Sequence, residues 1–399
     1  MNFIYRTIIL VLLILSNRIA MAQVILPDTN FRNFLIAAYP SVMNPDKTLN
    51  IAAANAFNGN FQCYNKNVTN LTGIEYFTSI AILEVKYNPN LQSIPNIDGL
   101  TNVTILGLDS NGLTSLPNLS TLTNLQILSF HHNQVTTLPS LNGLTQLVTL
   151  FVHNNKLTAI PSMASLVNLN QFICSNNPIT SLPSFSTLAK LTQIICDKTL
   201  ITSLPDMSHC PLLSSVVCRH SLLTSIPDLS SNPQMNDLRV NDGKLTSLPN
   251  LSIFPSLTLV DISNNALSFE DIQPLTGNPS FNTYIISPQA PGVATNVNAL
   301  NSMPTTLNYN FDHTIINSTY SWFKDGVPLT TTTVNQLLFN NVSSSDAGVY
   351  TCTITNSTPA LTGIILNAAS ITLKIVPCIS SNNIQYQLLN TDCSYPIQV

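Results

Sequence analysis

The stretch Val103–Asn124 reads VTILGLDSNGLTSLPNLSTLTN. Leu106 and Leu108 alternate with Gly107 and Asp109, the period of a short strand with one face buried. Three residues on stands Asn111, followed by Leu113, Leu116-Pro117, Leu119 and Leu122. The spelling recurs along the chain. Pro95, Pro117, Pro139, Pro161, Pro183, Pro205, Pro227 and Pro249 lie at a strict interval of 22 residues, each behind a Leu or Ile. No single globular core needs such regularity. It predicts a solenoid of stacked coils, each touching only its neighbours, whose inward leucines fill a core that one coil could not close. Function then belongs to a long surface and not to a pocket.

Aligned on this unit, the inward pairs are Leu83/Val85, Leu106/Leu108, Leu128/Phe130, Leu150/Val152 and Phe172/Cys174, then Ile194/Cys196, Val216/Cys218, Leu238/Val240 and Val260/Ile262. That makes nine repeats. The asparagine column runs Asn88, Asn111, Asn133, Asn155, Asn177, then Thr199, Ser221, Gly243, and returns at Asn265. A buried amide there bonds backbone groups that the strand leaves unpaired. Thr and Ser replace part of that bonding and Gly none, so the sixth to eighth repeats are expected to be the looser part of the ladder. Proline fixes the bend without needing a donor. A coil this short has room on its outer side for only a turn or a 3₁₀ piece.

This pattern resembles leucine-rich repeat proteins, specifically the 22-residue class of internalin-type bacterial surface proteins, over roughly residues 60–285. The preceding segment resembles the N-terminal cap of such proteins, in Leu26-Pro27-Asp28 with Phe31 and in Leu71-Thr72-Gly73-Ile74-Glu75. Relatives often carry an acidic, calcium-loop-like stretch between these pieces. Here Asn44-Pro45-Asp46-Lys47-Thr48 has one carboxylate and a lysine. The resemblance implies a mainly β solenoid of parallel strands with a short 3₁₀ or turn convex side, exported and protein-binding.

From about Pro291 the 22-residue period gives way to alternating strands. Ser321-Trp322-Phe323-Lys324-Asp325-Gly326 places the single Trp before a tight turn, and Asp346-Ala347-Gly348-Val349-Tyr350-Thr351-Cys352 follows. Together these resemble an immunoglobulin-like β-sandwich, with a core Trp and a Tyr two residues before the later Cys. The early strand Leu307–Phe311 has no Cys, so the usual inter-sheet disulfide cannot form. Phe311 or Tyr309 is expected against Trp322 and Cys352 instead. The expected organisation is a signal peptide over 1–22, a helical cap over 23–60, the solenoid over 61–285, the immunoglobulin-like domain over 288–376 and a tail over 377–399.

The leader reading rests on Arg6, an apolar run from Thr7 to Leu15 and Ala20-Met21-Ala22 before Gln23. That run is too short to span a bilayer. It implies a secreted or cell-surface protein, bacterial by the resemblance. Only 8% of residues are charged and the net charge is −4, falling to −6 once the leader is gone. Such a surface argues against nucleic acid and anionic membranes. Cys63, Cys174, Cys196 and Cys218 fall at one inward strand position and Cys210 replaces an outer-turn leucine. They read as small buried hydrophobes rather than a metal or redox ladder. Cys378 and Cys393 in the tail could close a small loop.

The outward side of the strands is expected to form a concave face. The residue between each inward pair runs Glu84, Gly107, Ser129, Phe151, Ile173, Ile195, Val217, Arg239, Asp261. Phe151, Ile173, Ile195 and Val217 read as an exposed apolar stripe, and such a patch is a candidate interface. Beside it, two residues on, run Lys86, Asp109, His131, His153, Ser175, Asp197, Arg219, Asn241 and Ser263. The partner-binding set is therefore Phe151, Ile173, Ile195, Val217, His131, His153, Asp197, Arg219 and Arg239. A plainer reading, that β-prone side chains merely favour the strand, competes with it. His131, His132 and His153 read as polar surface, and Asp197 with Arg219 as an exposed ion pair of small energetic value. Only three Glu occur, in separated repeats, with no phosphate loop and no convincing Ser/His/Asp set. An enzyme is not expected, nor a catalytic residue, cofactor or metal ion. The leading reading is a monomeric adhesion or recognition protein that binds a protein partner; the alternative is a glycan-binding surface protein.

Overall fold

The computed structural model describes residues 24–254, 256–276, 283–309 and 315–376. These group into two compact units, one up to Pro291 together with Thr358–Leu366, the other Gly292–Ser357 together with the chain from Asn367. The leader, Phe311, Cys378 and Cys393 lie outside the described residues.

The first unit opens with a helix over Thr29–Ala38, capped by Asp28, whose carboxylate accepts from the Phe31 amide at 2.8 Å. Its other oxygen takes the Thr69 amide (2.6 Å), the Thr69 hydroxyl (2.7 Å) and the Asn70 amide (3.1 Å). One buried carboxylate thus caps a helix and ties it to the entry turn of the coils. Burial alone would raise its pKa, but these bonds outweigh it and hold the carboxyl below its ordinary value. Phe31, Phe34, Tyr39, Phe57, Phe61 and Phe77 then form one ring cluster, with Phe61 and Phe77 4.9 Å apart, that closes the end of the solenoid. Asp46 accepts from the Thr48 amide and hydroxyl, so the Asn44–Thr48 stretch is a turn closed on itself.

The coils follow. β1 (Phe61–Tyr64), β2 (Ile82–Lys86), β3 (Ile105–Gly107), β4 (Ile127–Ser129), β5 (Thr149–Phe151) and β6 (Gln171–Ile173) pair in chain order. So do β7 (Gln193–Ile195), β8 (Ser215–Val217), β9 (Asp237–Arg239), β10 (Leu259–Asp261) and β11 (Thr283–Ile285), giving one eleven-stranded parallel sheet. β1 and β11 extend the nine repeats at both ends. Every inward residue of the nine aligned pairs is buried. Between β3 and β9 the outer side is turns, as a 22-residue coil requires.

In one coil Leu125, Leu128, Phe130, Val135, Leu141 and Leu144 are all buried. At about 1.5–3 kcal/mol each they contribute on the order of 10 kcal/mol. Asn133 adds direction to this bulk. Its amide nitrogen donates to Phe130 O (2.8 Å) and, one coil back, to Leu108 O (2.9 Å), while its oxygen accepts from Leu113 N (3.0 Å). Such bonds contribute about 1 kcal/mol each, so leucines supply the stability and asparagines the register. Gln289 does the same work at the far end, accepting from Asn265 N and Leu267 N and donating to Ile262 O.

Through the sixth to eighth repeats the ladder keeps its register. Thr199 and Ser221 retain the local bond, to Cys196 O (2.9 Å) and Cys218 O (3.1 Å), and lose the one that reaches the previous coil. The Cys218 thiol faces the Cys196 carbonyl at 3.4 Å and stands in for part of it. Cys63, Cys174, Cys196, Cys210 and Cys218 are all fully buried free thiols. Burial pushes Cys174 and Cys196 well above the ordinary thiol pKa, which makes them inert at neutral pH.

The second unit pairs β12 (Thr295–Leu300), β18 (Leu366–Val376), β17 (Gly348–Asn356), β14 (Ser318–Lys324) and β15 (Val327–Thr332) in that order, beside a two-stranded sheet of β13 (Thr305–Asn308) and β16 (Gln336–Phe339). Asp325 (φ 51°) and Gly326 (φ 80°) make the two-residue β14–β15 turn, where both positions need positive φ. Trp322 is buried in register with Cys352 and stacks on Tyr309, centroids 5.1 Å apart. The Tyr350 hydroxyl donates to Asp346 O at 2.6 Å, closing the tyrosine corner. Cys352 is a buried free thiol, pushed up to about 12 by burial. The Trp–Tyr–Cys stack therefore does the packing that a disulfide usually does. Cys352→Ala is expected to cost about 1–3 kcal/mol, the loss of a small buried side chain. Chemical denaturation monitored by Trp322 fluorescence checks this, and a collapse of the domain would contradict it.

Candidate functional site

Each strand presents two or three outward residues, and stacking turns them into columns. In the middle column Phe151, Ile173 and Ile195 are half-buried and lie in register on β5, β6 and β7. Val217 continues the line on β8 but is only 2% exposed. It was expected on the accessible stripe, and the structure corrects that. Its register neighbours are Ile195 and Arg239, and Ser215 and Arg219 stand two residues to either side on the same strand face.

A second apolar run was not anticipated. Ile82, Ile105 and Ile127, one residue before the inward pair, are half-buried and stack on β2, β3 and β4. Ile127 shares β4 with Ser129, the register partner of Phe151. The apolar path thus crosses the sheet obliquely, from Ile82 to Ile195. Its signal was in the sequence, in the Ile column that ends at Thr149.

Charged groups along this path are fixed by one another. Lys86 Nζ reaches Glu84 (2.8 Å) and Asp109 (3.1 Å), and Asp109 also faces His131 Nε2 at 3.5 Å and accepts from the Ser129 hydroxyl. Tyr64 and Gln62 donate to Glu84 from β1. On the other side Asp197 accepts from Arg219 Nε (3.0 Å) and Arg219 N (2.7 Å). Asp197 is 8% exposed while the Arg219 side chain keeps 41% of its surface, so the pair is half-buried and multiply bonded, where an exposed ion pair was expected. Arg239 is held within its own strand by Asp237, Nε to Oδ1 at 2.8 Å.

The nine residues singled out from the sequence therefore fall into separate groups. Phe151 joins the histidines, its ring 6.4 Å from His153. Asp197 and Arg219 form a pair, and Arg239 pairs with neither. His131 and His153 are half-buried and their rings stack 4.4 Å apart. His132 completes this cluster, with Nδ1 2.8 Å from His131 Nδ1. Its position is dictated by the backbone. Tyr87, Ser110, His132, Asn154, Asn176, Lys198, His220, Asp242 and Asn264 all adopt left-handed φ between 52° and 59°. Asn, Asp and His are the non-glycine residues that tolerate this region best, which accounts for that column's composition.

Burial, then the neighbouring His131 and His132, push His153 down to about 4, and burial also lowers His131. A histidine depressed in the fold stays neutral there while the unfolded chain takes up a proton near pH 6.5. Stability from this group is complete above about pH 6.5, falls as pH drops, and is lost near pH 4. His131, His132 and Asp109 are the titratable groups that act on it. Between pH 7.5 and pH 5 the His153→Asn protein is therefore expected to lose less stability than the wild type. Denaturant midpoints at the two values measure this, and equal losses would contradict it.

A leucine-rich repeat region profile matches residues 60–326, and an immunoglobulin domain profile matches residues 312–363. Neither is an enzyme family. Among solved structures the chain is similar to the functional domain of InlJ from Listeria monocytogenes, described as including a cysteine ladder (21% identity, 87% of this chain, 97% of that one, TM-score 0.44). It is also similar to InlP from Listeria monocytogenes (17%, 87% and 96%, TM-score 0.49) and to YopM, a leucine-rich effector protein from Yersinia pestis (25%, 54% and 62%, TM-score 0.46). No curated protein matches the chain.

Proposed function

The chain belongs to the leucine-rich repeat family, and from that premise we propose that it is an exported, non-enzymatic recognition or adhesion protein whose coils hold a partner protein on their concave face. One observation carries this reading. Two half-buried apolar runs, Ile82, Ile105, Ile127 on β2–β4 and Phe151, Ile173, Ile195 on β5–β7, lie in neighbouring columns of one sheet face across six strands, flanked by charges already locked in place. An apolar centre with a polar rim is the anatomy of a protein-recognition patch. Fixed rim charges cost little entropy on binding, because their rotamers are set beforehand.

The remaining parts fit around this. Residues 1–22 act as a bacterial export leader, 23–60 as the cap, 61–285 as the binding solenoid, and 288–376 as a spacer or second contact before a tail over 377–399. No helix among the described residues is long and apolar enough to cross a membrane. The net charge of −4 argues against nucleic acid as the partner. The chain is tested on a panel of surface proteins and on a glycan array. A protein ligand whose binding is blocked by substitutions on the path supports the proposal; binding to glycans alone would overturn it.

A further inference from the structure

We infer that His131, His132 and His153 form a binding site for a divalent transition ion of the zinc class, set at the middle of the sheet face. One ring nitrogen from each lies within 4.8 Å of the others. Two adjacent coils supply them. His131 and His153 are stacked neighbours, and the left-handed backbone at His132 (φ 56°) turns the third ring edge-on to both.

Three further features point the same way. His153 Nδ1 is buried with no hydrogen-bond partner, a vacancy that normally costs about 1–3 kcal/mol. His131 Nδ1 and His132 Nδ1 stand 2.8 Å apart, so the two nitrogens share one proton between them. An ion held at about 2.0–2.1 Å from each nitrogen replaces that proton, with a ring rotation that opens the pair to about 3.3 Å. Finally, Asp109 faces the opposite nitrogen of His131, Nε2, at 3.5 Å. A carboxylate behind a ligating imidazole fixes its tautomer and raises its basicity. Here the same carboxylate also offsets the nearby Lys86 charge.

The donor set selects the ion. Three neutral imidazoles suit Zn²⁺, Ni²⁺ or Cu²⁺, whereas Ca²⁺ and Mg²⁺ require oxygen ligands. His132 is exposed, so a fourth position lies open to solvent as in zinc sites that keep an exchangeable ligand.

The test uses the untagged full chain, with Zn²⁺ by calorimetry and Co²⁺ by visible absorption. One equivalent is expected to bind at micromolar Kd or tighter, with cobalt d–d bands and no thiolate charge transfer. His132→Gln, on an exposed side chain, and His153→Gln should each weaken Zn²⁺ at least tenfold. The variant carrying both with His131→Gln should abolish binding, while His220→Asn, well along the sheet, should leave it unchanged. Circular dichroism identifies any variant that fails to fold, and exposed His132 remains decisive in that case. Three results would overturn the site: no binding by the wild type at 0.1 mM Zn²⁺, unchanged affinity in folded His132→Gln, or cobalt spectra dominated by thiolate bands from the cysteines.

Discussion

Phe151→Asp combined with Ile195→Asp should weaken binding of a protein partner at least 100-fold while the melting temperature stays within a few degrees of wild type. Both side chains point outward from β5 and β7 and keep accessible surface in the free chain. Burying that surface against a partner contributes about 25 cal/mol per Å², and hot spots concentrate in the dry centre of such patches. A carboxylate placed there loses the apolar term and must also be desolvated without a partner, at about 2 kcal/mol or more for each site. In the free chain the same carboxylates remain solvated, so the fold loses little. Val217 supplies the contrast. It shares their column but is buried, so Val217→Asp should lower stability sharply. Surface plasmon resonance on folded proteins, with thermal melts alongside, separates the effects. Unchanged affinity in the folded double variant would remove the sheet face as the binding surface and direct attention to the immunoglobulin-like unit.

The contrast between Ile195 and Val217 also shows where sequence reading stops. Inward residues were legible because a two-residue alternation repeated every 22 residues leaves them no other place to go. The Trp322–Cys352 core and the Tyr350 corner were legible for a similar reason, since their spacing is set by strand geometry. Burial on the outward face follows a different rule. It depends on which side chains stand in the neighbouring columns and coils, such as Ile195 and Arg239 in register with Val217, and a single column does not record this. Asp197 is a clearer instance, since it accepts from Arg219 N and Nε on the next coil, a contact that its own column does not record. The histidine cluster required one more fact, the left-handed backbone at His132, without which His131 and His132 would be expected to diverge as sequence neighbours on a strand do. The signal for it lies in the column rich in Asn, Asp and His, the composition that a left-handed position favours.

Deleting Leu147–Asn168 as a block should leave a cooperatively folded protein that melts only several degrees lower, whereas deleting Leu147–Leu157 should abolish the cooperative transition. The block joins Gln146 to Leu169, which stands where Leu147 stood. β6 then lies against β4, and Asn177 inherits the bonds of Asn155, to Phe130 O and from Val135 N. Every neighbour contact is re-formed, and the loss is one coil with one interface. The half-coil deletion instead removes Leu150, Val152 and Asn155 and leaves the turn that follows them. Phe130 N loses Phe151 O, Val135 N loses Asn155, and the remaining residues are too few to carry the chain around to β6 in register. Several buried backbone groups are then unpaired at about 1–3 kcal/mol each, beside an open core. Circular dichroism melts of the two deletions decide the matter, and equal loss of folding in both would contradict the coil-by-coil account. The block deletion carries a functional consequence as well. It removes Phe151 and His153 together, so a chain that folds should bind its partner more weakly and should have lost one of the three proposed zinc ligands.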